Sequence, residues 1–514
     1  MTDELDPRTP VVIGVGQASE RLDDPGYAAL SPMDLGGKAL GAAIADAQAR
    51  GDVAGAIDVL AAIRQFEIST PAAVAPFGRA DNPPRAIARR VGANPARAIL
   101  EYVGGQGPQK LVGELAQEIA DGRADMAAIV GAEAISTTLA LAAKGEKPDW
   151  REEIGGQLED RGFGMKGLLD QTLIAHGVRG AIPAYALMEN ARRSVLGRSL
   201  EEHRDHMAEL FAPFTKVAAG NPHAASPKEK SADVIATPTQ RNRIVAEPYT
   251  KDMIARDQVN QAAAIVIASV GKARELGIPP DRWVHIHAAT DAREASVLHR
   301  ADLHLAQSAV DCANAALEIA GIAQGDIDHF DIYSCFPIPV SNLIEAMGIA
   351  PDDPRGLTLT GGLPYFGGAG NNYSAHAIAE AVARCRNQPG STAVVVANGG
   401  FMSKYACGIY STEAADWSRE RVRTCPDQPD AVESLDSYSG PATIETYTIQ
   451  HGREGASGTI VARIPGGQRV AAVPADADAL SLLEGGEPFG MSVTIAMADG
   501  KNDFRHAGAQ AQQG

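Results

Sequence analysis

The sequence predicts an α/β protein with a duplicated core, an inserted helical domain and a small C-terminal β-barrel. Three observations carry that reading. Two segments, residues 104–131 and 367–397, each run from a glycine-rich loop through an amphipathic helical pattern into a short apolar β-run. Residues 135–245 are rich in charge and helical periodicity and poor in β-runs. Residues 443–495 alternate short β-runs with glycine turns, the pattern of a small barrel.

Taken in order, residues 9–16 form a first strand ending in a glycine turn, and residues 33–49 an alanine-rich helix. The α/β pattern continues through residues 60–103. Gly104, Gly105, Gln106 and Gly107 then open a helix with Pro108 in its first turn and a stripe of Leu111, Val112, Leu115 and Ile119. Residues 127–131 are the next strand. In the second unit the glycines are Gly367, Gly368 and Gly370, the stripe is Ala375, Ile378, Ala379, Val382 and Cys385, and the strand is 393–397. Leu115 matches Ile378, Ala116 matches Ala379 and Ile119 matches Val382, so the units share spacing as well as order, which argues for internal duplication. The expected boundaries are 1–134 with 246–268 for the first half, 135–245 for the insertion, 269–417 for the second half, 418–501 for the barrel and 502–514 for a disordered tail.

Composition narrows the function. The 514 residues carry a formal net charge of −18, which opposes binding to nucleic acid or to an anionic membrane, although a local basic patch remains compatible with a nucleotide phosphate. Five scattered cysteines show no metal-ligand spacing and suit a reducing cytoplasm, so no metal site is expected. No apolar run reaches the length of a membrane span, and residues 1–8 are acidic where a secretory signal would be basic. The expected location is the cytoplasm.

Two glycine loops at helix N-termini, set in two similar halves, resemble the thiolase superfamily over residues 8–412, in particular its sterol-carrier-protein-type branch. Tyr333, Ser334, Cys335 and Phe336 fall where that branch ends a motif His-Asp-Cys-Phe. The resemblance implies a five-layered αβαβα core and a protein of the acetyl-CoA acetyltransferase kind, with a coenzyme A thioester as substrate or ligand and no further cofactor. It also implies that the insertion is a loop domain carrying part of the coenzyme A site, with Lys216, Lys228, Lys230, Arg241 and Arg243 as candidate phosphate contacts. Ordinary solvated charge is the alternative for most of these. The barrel resembles the OB-type accessory of thiolase-like aldolases. Thiolases pair through the core, so a homodimer is expected, or a monomer if the added barrel takes the partner surface.

Thiolase chemistry requires a thiolate, a base, a second acid or base and oxyanion donors. By resemblance the nucleophilic cysteine falls on Gly105 or Gln106, the catalytic histidine near Gly368 and the second cysteine on Ala397, so all three reactive groups are missing. The candidate catalytic set is therefore Tyr333 as proton donor, the Gly105 and Gly368 loops as oxyanion hole, and Asn398. Gln106, Tyr365, Asn371, Asn372 and Gly399, with Lys216, Lys228 and Arg241, are the candidate binding residues. A phenol with a reference pKa of about 10 is a poor base but a good donor. Turn formation alone also explains asparagine beside glycine, and core packing is the default for the other cysteines and for His376. The expected activity is acyl transfer or carbon–carbon cleavage without a cysteine nucleophile. A non-catalytic acyl-CoA-binding protein and a retro-aldol lyase are the alternatives.

Overall fold

Small apolar residues allow a strand to be covered on both faces, and the main sheet is built from such runs. The computed structural model describes residues 5–165, 170–453 and 455–507. Strands Met126–Ala134, Asn260–Ser269 and Lys404–Ser411 are buried along their whole length. In the first half-sheet, Arg97–Leu100, Val59–Ala62 and Met126–Ala134 run parallel, and Asn260–Ser269 then lies antiparallel between Met126–Ala134 and Pro10–Ser19. The second half repeats that scheme: His329–Ile332 and Thr392–Gly399 are parallel, followed by Lys404–Ser411 and Val284–Arg293 in antiparallel order. The halves join where Val11 and Val12 face His285 and Val284.

Helices Gly107–Ala120 and Tyr373–Asn387 pack between the two half-sheets, with Pro32–Asp46 and Pro83–Arg90 outside the first and Gln307–Ala320 outside the second. This is the expected five-layered αβαβα arrangement. The matched glycines Gly104 and Gly367 both have positive φ, +142° and +123°, a conformation that side chains disfavour. The second helix starts at Tyr373 rather than directly after Gly370, because Gly370 N–H bonds Gly368 O (2.7 Å) and Asn372 N–H bonds Ala369 O (2.8 Å), adding a turn.

In the insertion, Ala181–Val195 and Leu200–Gly220 are the long helices. Strands Gly440–Gly452, Gly455–Arg463, Arg469–Pro474, Lys501–His506 and Ser492–Ala498 pair in a closed five-strand ring. The barrel therefore runs beyond the expected boundary at 501. Asn502 and Phe504 are fully buried in its last strand, so the tail expected from 502 begins as barrel, and residues 508–514 of that tail lie outside the described residues. The ring is fastened to the insertion by Thr446 Oγ1 to Leu187 O (2.6 Å), Asn190 Nδ2 to Tyr447 O (3.0 Å) and Asn502 N–H to His176 Nε2 (2.8 Å). At the outer edge of the core sheet, Arg97–Leu100 is covered by the short strand Glu159–Asp160 of the same chain. Arg161 pins that cover through Glu101, Glu114 and Glu159, which blunts an edge open to pairing. Among the described residues no helix is long and apolar enough to cross a membrane.

Candidate functional site

The strand ends of the second half bring Tyr333, Asn398 and Gly399 against the glycine loop of the first. Tyr333 N–H bonds Val396 O (3.0 Å), which fixes its position beside the neighbouring strand. A Cβ placed on Gly105 would lie 2.2 Å from the Tyr333 hydroxyl oxygen and 2.6 Å from Asn398 O. One placed on Gly399 would lie 1.9 Å from Gln106 Oε1 and 3.0 Å from the Gly104 Cα. The phenol of Tyr333 and the amide of Gln106 thus fill the space that side chains at 105 and 399 would need. Tyr333 meets Tyr373 edge-on at 5.2 Å and is 7% exposed.

Burial governs the protonation of this cluster. Loss of solvent pushes the Tyr333 phenol well above its ordinary value, so it holds its proton and can donate but not act as a base. The same cause moves Cys335 to about 12, Cys407 to about 12 and Cys385 to about 11, and raises Cys312 and Cys425. None of the five is a ready thiolate. Both polar atoms of the Gln106 amide, Asn398 Oδ1 and the Tyr405 hydroxyl are buried with no hydrogen-bond partner among the described residues. Such groups are suited to a carbonyl-bearing ligand or to water.

A residue that the sequence did not single out organises the turn beyond Asn398. Tyr185, on helix Ala181–Val195 of the insertion, accepts from Asn398 Nδ2 (2.9 Å) and from Met402 N–H (3.0 Å) and donates to Gly400 O (3.3 Å). Its ring stacks on Phe336 at 4.2 Å. In the sequence it reads as an ordinary tyrosine on an apolar helix stripe. Lys404 was likewise silent: its Nζ donates to Val103 O and Gly164 O, both at 2.8 Å, and burial lowers its pKa to about 8. It ties a core strand to the residue preceding Gly104.

Several candidates serve other purposes. Gly368 N–H is taken by Arg256 O (2.7 Å), so it is not a free oxyanion donor. Asn371 accepts from Gly104 N–H (2.9 Å) and donates to Arg64 O (2.8 Å) and Ser69 Oγ (3.0 Å), while Asn372 donates to Gly131 O (2.8 Å). The Asn371 carbonyl oxygen joins the two glycine loops, and the amide donors of both residues are spent on other parts of the first half. Tyr365 is buried edge-on to Phe211 of the insertion at 6.4 Å, its hydroxyl unpartnered among the described residues. Lys216, Lys228 and Arg241 are exposed, and no contact among the described residues brings them to the Tyr333 cluster. Lys230 is paired with Asp252 at 2.7 Å. His376 is buried against Gln17 Oε1 (2.6 Å) and stays neutral, its pKa lowered to about 3 by desolvation. Among the described residues no group of His, Cys, Asp and Glu could hold a metal ion.

The nearly full-length match decides the family. Over 98% of this chain and 100% of the other, it is 40% identical to the monomeric SCP2-thiolase like protein type 1 (STLP1) from Mycobacterium smegmatis, with a TM-score of 0.82. The chain belongs to the SCP2-thiolase-like type 1 family. Residues 423–501 match the family model described as the thiolase-like protein type 1 additional C-terminal domain, and so cover most of the type 1 chain's barrel. A curated acetyl-CoA acetyltransferase of Methanothermobacter thermautotrophicus is 24% identical over 185 residues, which span 36% of this chain and 45% of that protein. The Ltp2-ChsH2(DUF35) aldolase structure shares the fold at 19% identity, TM-score 0.58, over 79% of the type 1 chain and 99% of its own.

Proposed function

We propose that this type 1 chain binds coenzyme A thioesters without forming an acyl-enzyme. One observation carries the reading: the Tyr333 hydroxyl stands 2.2 Å from the place of a Cβ at 105, one of the two positions, with Gln106, where the thiolase resemblance puts the nucleophile. The buried, protonated state of all five cysteines agrees with it. In this reading the unpartnered Gln106 amide and the Tyr333 hydroxyl donate to a thioester carbonyl, and Asn398, held by Tyr185, adjoins them. Isothermal titration with coenzyme A and acetoacetyl-CoA tests it. Binding with the thioester recovered intact supports the proposal; no binding of either ligand overturns it.

A second reading rests on Tyr333 itself. A phenol that keeps its proton can protonate the thioester enolate released when the carbon–carbon bond breaks, which is the acid half of a retro-aldol cleavage. The shared fold with a DUF35-containing aldolase is compatible with that chemistry. Release of a carbonyl product from a β-hydroxyacyl-CoA, abolished by Tyr333→Phe, would select it over simple binding.

A further inference from the structure

A cleft of about 910 Å³ opens between the insertion and the barrel, away from the Tyr333 cluster. The insertion contributes Gln240, Arg243 and Ile244, and the barrel hairpin contributes His451, Gly452 and Arg453. No Asp or Glu is among its described lining residues. Arg243 is positioned by Nη1 donating to Ile244 O (3.3 Å) and, across the domain boundary, to His451 O (3.2 Å). Its remaining N–H groups, and the whole Arg453 guanidinium, have no partner among the described residues. Among the described residues the acids beside the rim are already engaged: Glu247 bonds Arg204 at 3.1 Å and lies 3.6 Å from His451 Nε2, and Asp252 bonds Lys230.

Two guanidinium groups facing one cleft with no carboxylate partner among the described residues, one of them held only by main-chain carbonyls, are unexpected in a chain of net charge −18. Screening over about 8 Å at physiological salt lets the local pair outweigh the distant negative surface. A guanidinium fork fits phosphate oxygens two at a time. A long polyanion would meet the acidic surface beyond the cleft, whereas a small ligand would not. The volume suits a small molecule.

We propose that this cleft binds a small phosphorylated molecule carrying a diphosphate or two neighbouring phosphates, gripped by Arg243 from the insertion and Arg453 from the barrel. The cleft has its own lining and does not use the Tyr333 cluster; where its phosphates are those of coenzyme A, it extends the thioester reading, in which Arg243 was already a candidate phosphate contact. Its phosphates could belong to the nucleotide part of coenzyme A or to a separate phosphorylated metabolite.

Titration of inorganic pyrophosphate into the full chain tests the assignment. The Arg243→Ala/Arg453→Ala double variant is expected to bind it at least tenfold more weakly and with a shallower salt dependence. Both side chains are at the surface, so the melting temperature should not move; if it does, Arg243→Gln/Arg453→Gln replaces the pair. Failure of the wild-type chain to bind pyrophosphate, or equal affinity in a folded double variant, overturns the site. Displacement of pyrophosphate by coenzyme A identifies the nucleotide as the source, and coenzyme A binding alongside it identifies a separate metabolite. A single-stranded oligonucleotide that binds more tightly than pyrophosphate and loses affinity in the same variant would overturn the small-molecule assignment.

Discussion

Placing a cysteine at position 105 should be resisted by Tyr333. Gly105 lies outside the left-handed region of backbone space, so the obstacle to a side chain there is steric. Its Cβ would fall 2.2 Å from the Tyr333 hydroxyl oxygen, 2.6 Å from the ring carbon bearing it and 2.6 Å from Asn398 O. Gly105→Cys should therefore destabilise the protein by roughly 1–3 kcal/mol, the usual range for overpacking a buried site. Tyr333→Ala removes two of those three contacts and leaves the backbone carbonyl. In that background the same cysteine should cost at least about 1 kcal/mol less, a coupling expected for residues in direct contact. Urea denaturation of the wild type, both single variants and the double variant closes the cycle. Additive effects, with coupling below about 0.5 kcal/mol, would mean that the phenol does not occupy the space beside residue 105.

Tyr185→Phe strands Met402 N–H, leaves Asn398 Nδ2 only its long bond to Cys335 Sγ (3.7 Å), and should cost about 1–3 kcal/mol. It should also weaken thioester binding more than Tyr249→Phe, whose hydroxyl bonds Glu189 (2.9 Å) and the Tyr185 main-chain carbonyl (3.3 Å) but not Asn398; the reverse order would remove the Tyr185 hydroxyl from the site. Glu133 is buried, and desolvation raises its pKa to about 8 from an ordinary 4.5. A raised carboxyl adds stability that is full below the unfolded value and lost as pH climbs through the folded one, so the Glu133 contribution should fall by about 1.4 kcal/mol per pH unit between about 5.5 and 7 and level off above about 8. Glu133→Gln should flatten that fall in denaturant titrations, and an unchanged slope would refute the assignment. With the sheet edge covered by Glu159–Asp160, sedimentation should give one species near 53.6 kDa, and a dimer at micromolar concentration would show that the cover does not block pairing.

The duplication was legible because helix stripes and glycine spacing repeat locally, and Gly104 and Gly367 do share a positive φ. Extra hydrogen bonds within residues 368–372 delay the second helix to Tyr373, and that depends on contacts that no periodicity reports. Tyr333, Gln106, Asn398 and Gly399 converge because their motifs end adjacent strands or open the central helix. Asn371 and Asn372 looked equally available, but each donates to carbonyls of the other half of the core. Tyr185 escaped notice because its partners lie more than 200 positions away in the chain, at a turn that only the fold places beside it. The last barrel strand was lost among polar residues, since only Asn502 and Phe504 of Lys501–His506 are fully buried.

The central claim, a thioester site without a covalent intermediate, is tested most directly by intact-protein mass spectrometry after incubation with excess acetoacetyl-CoA at pH 7–8. The account predicts the unmodified mass at all times, because burial holds every cysteine above the thiolate range and position 105 has no side chain. An acyl adduct that maps to any cysteine, and is discharged by free coenzyme A, would contradict it.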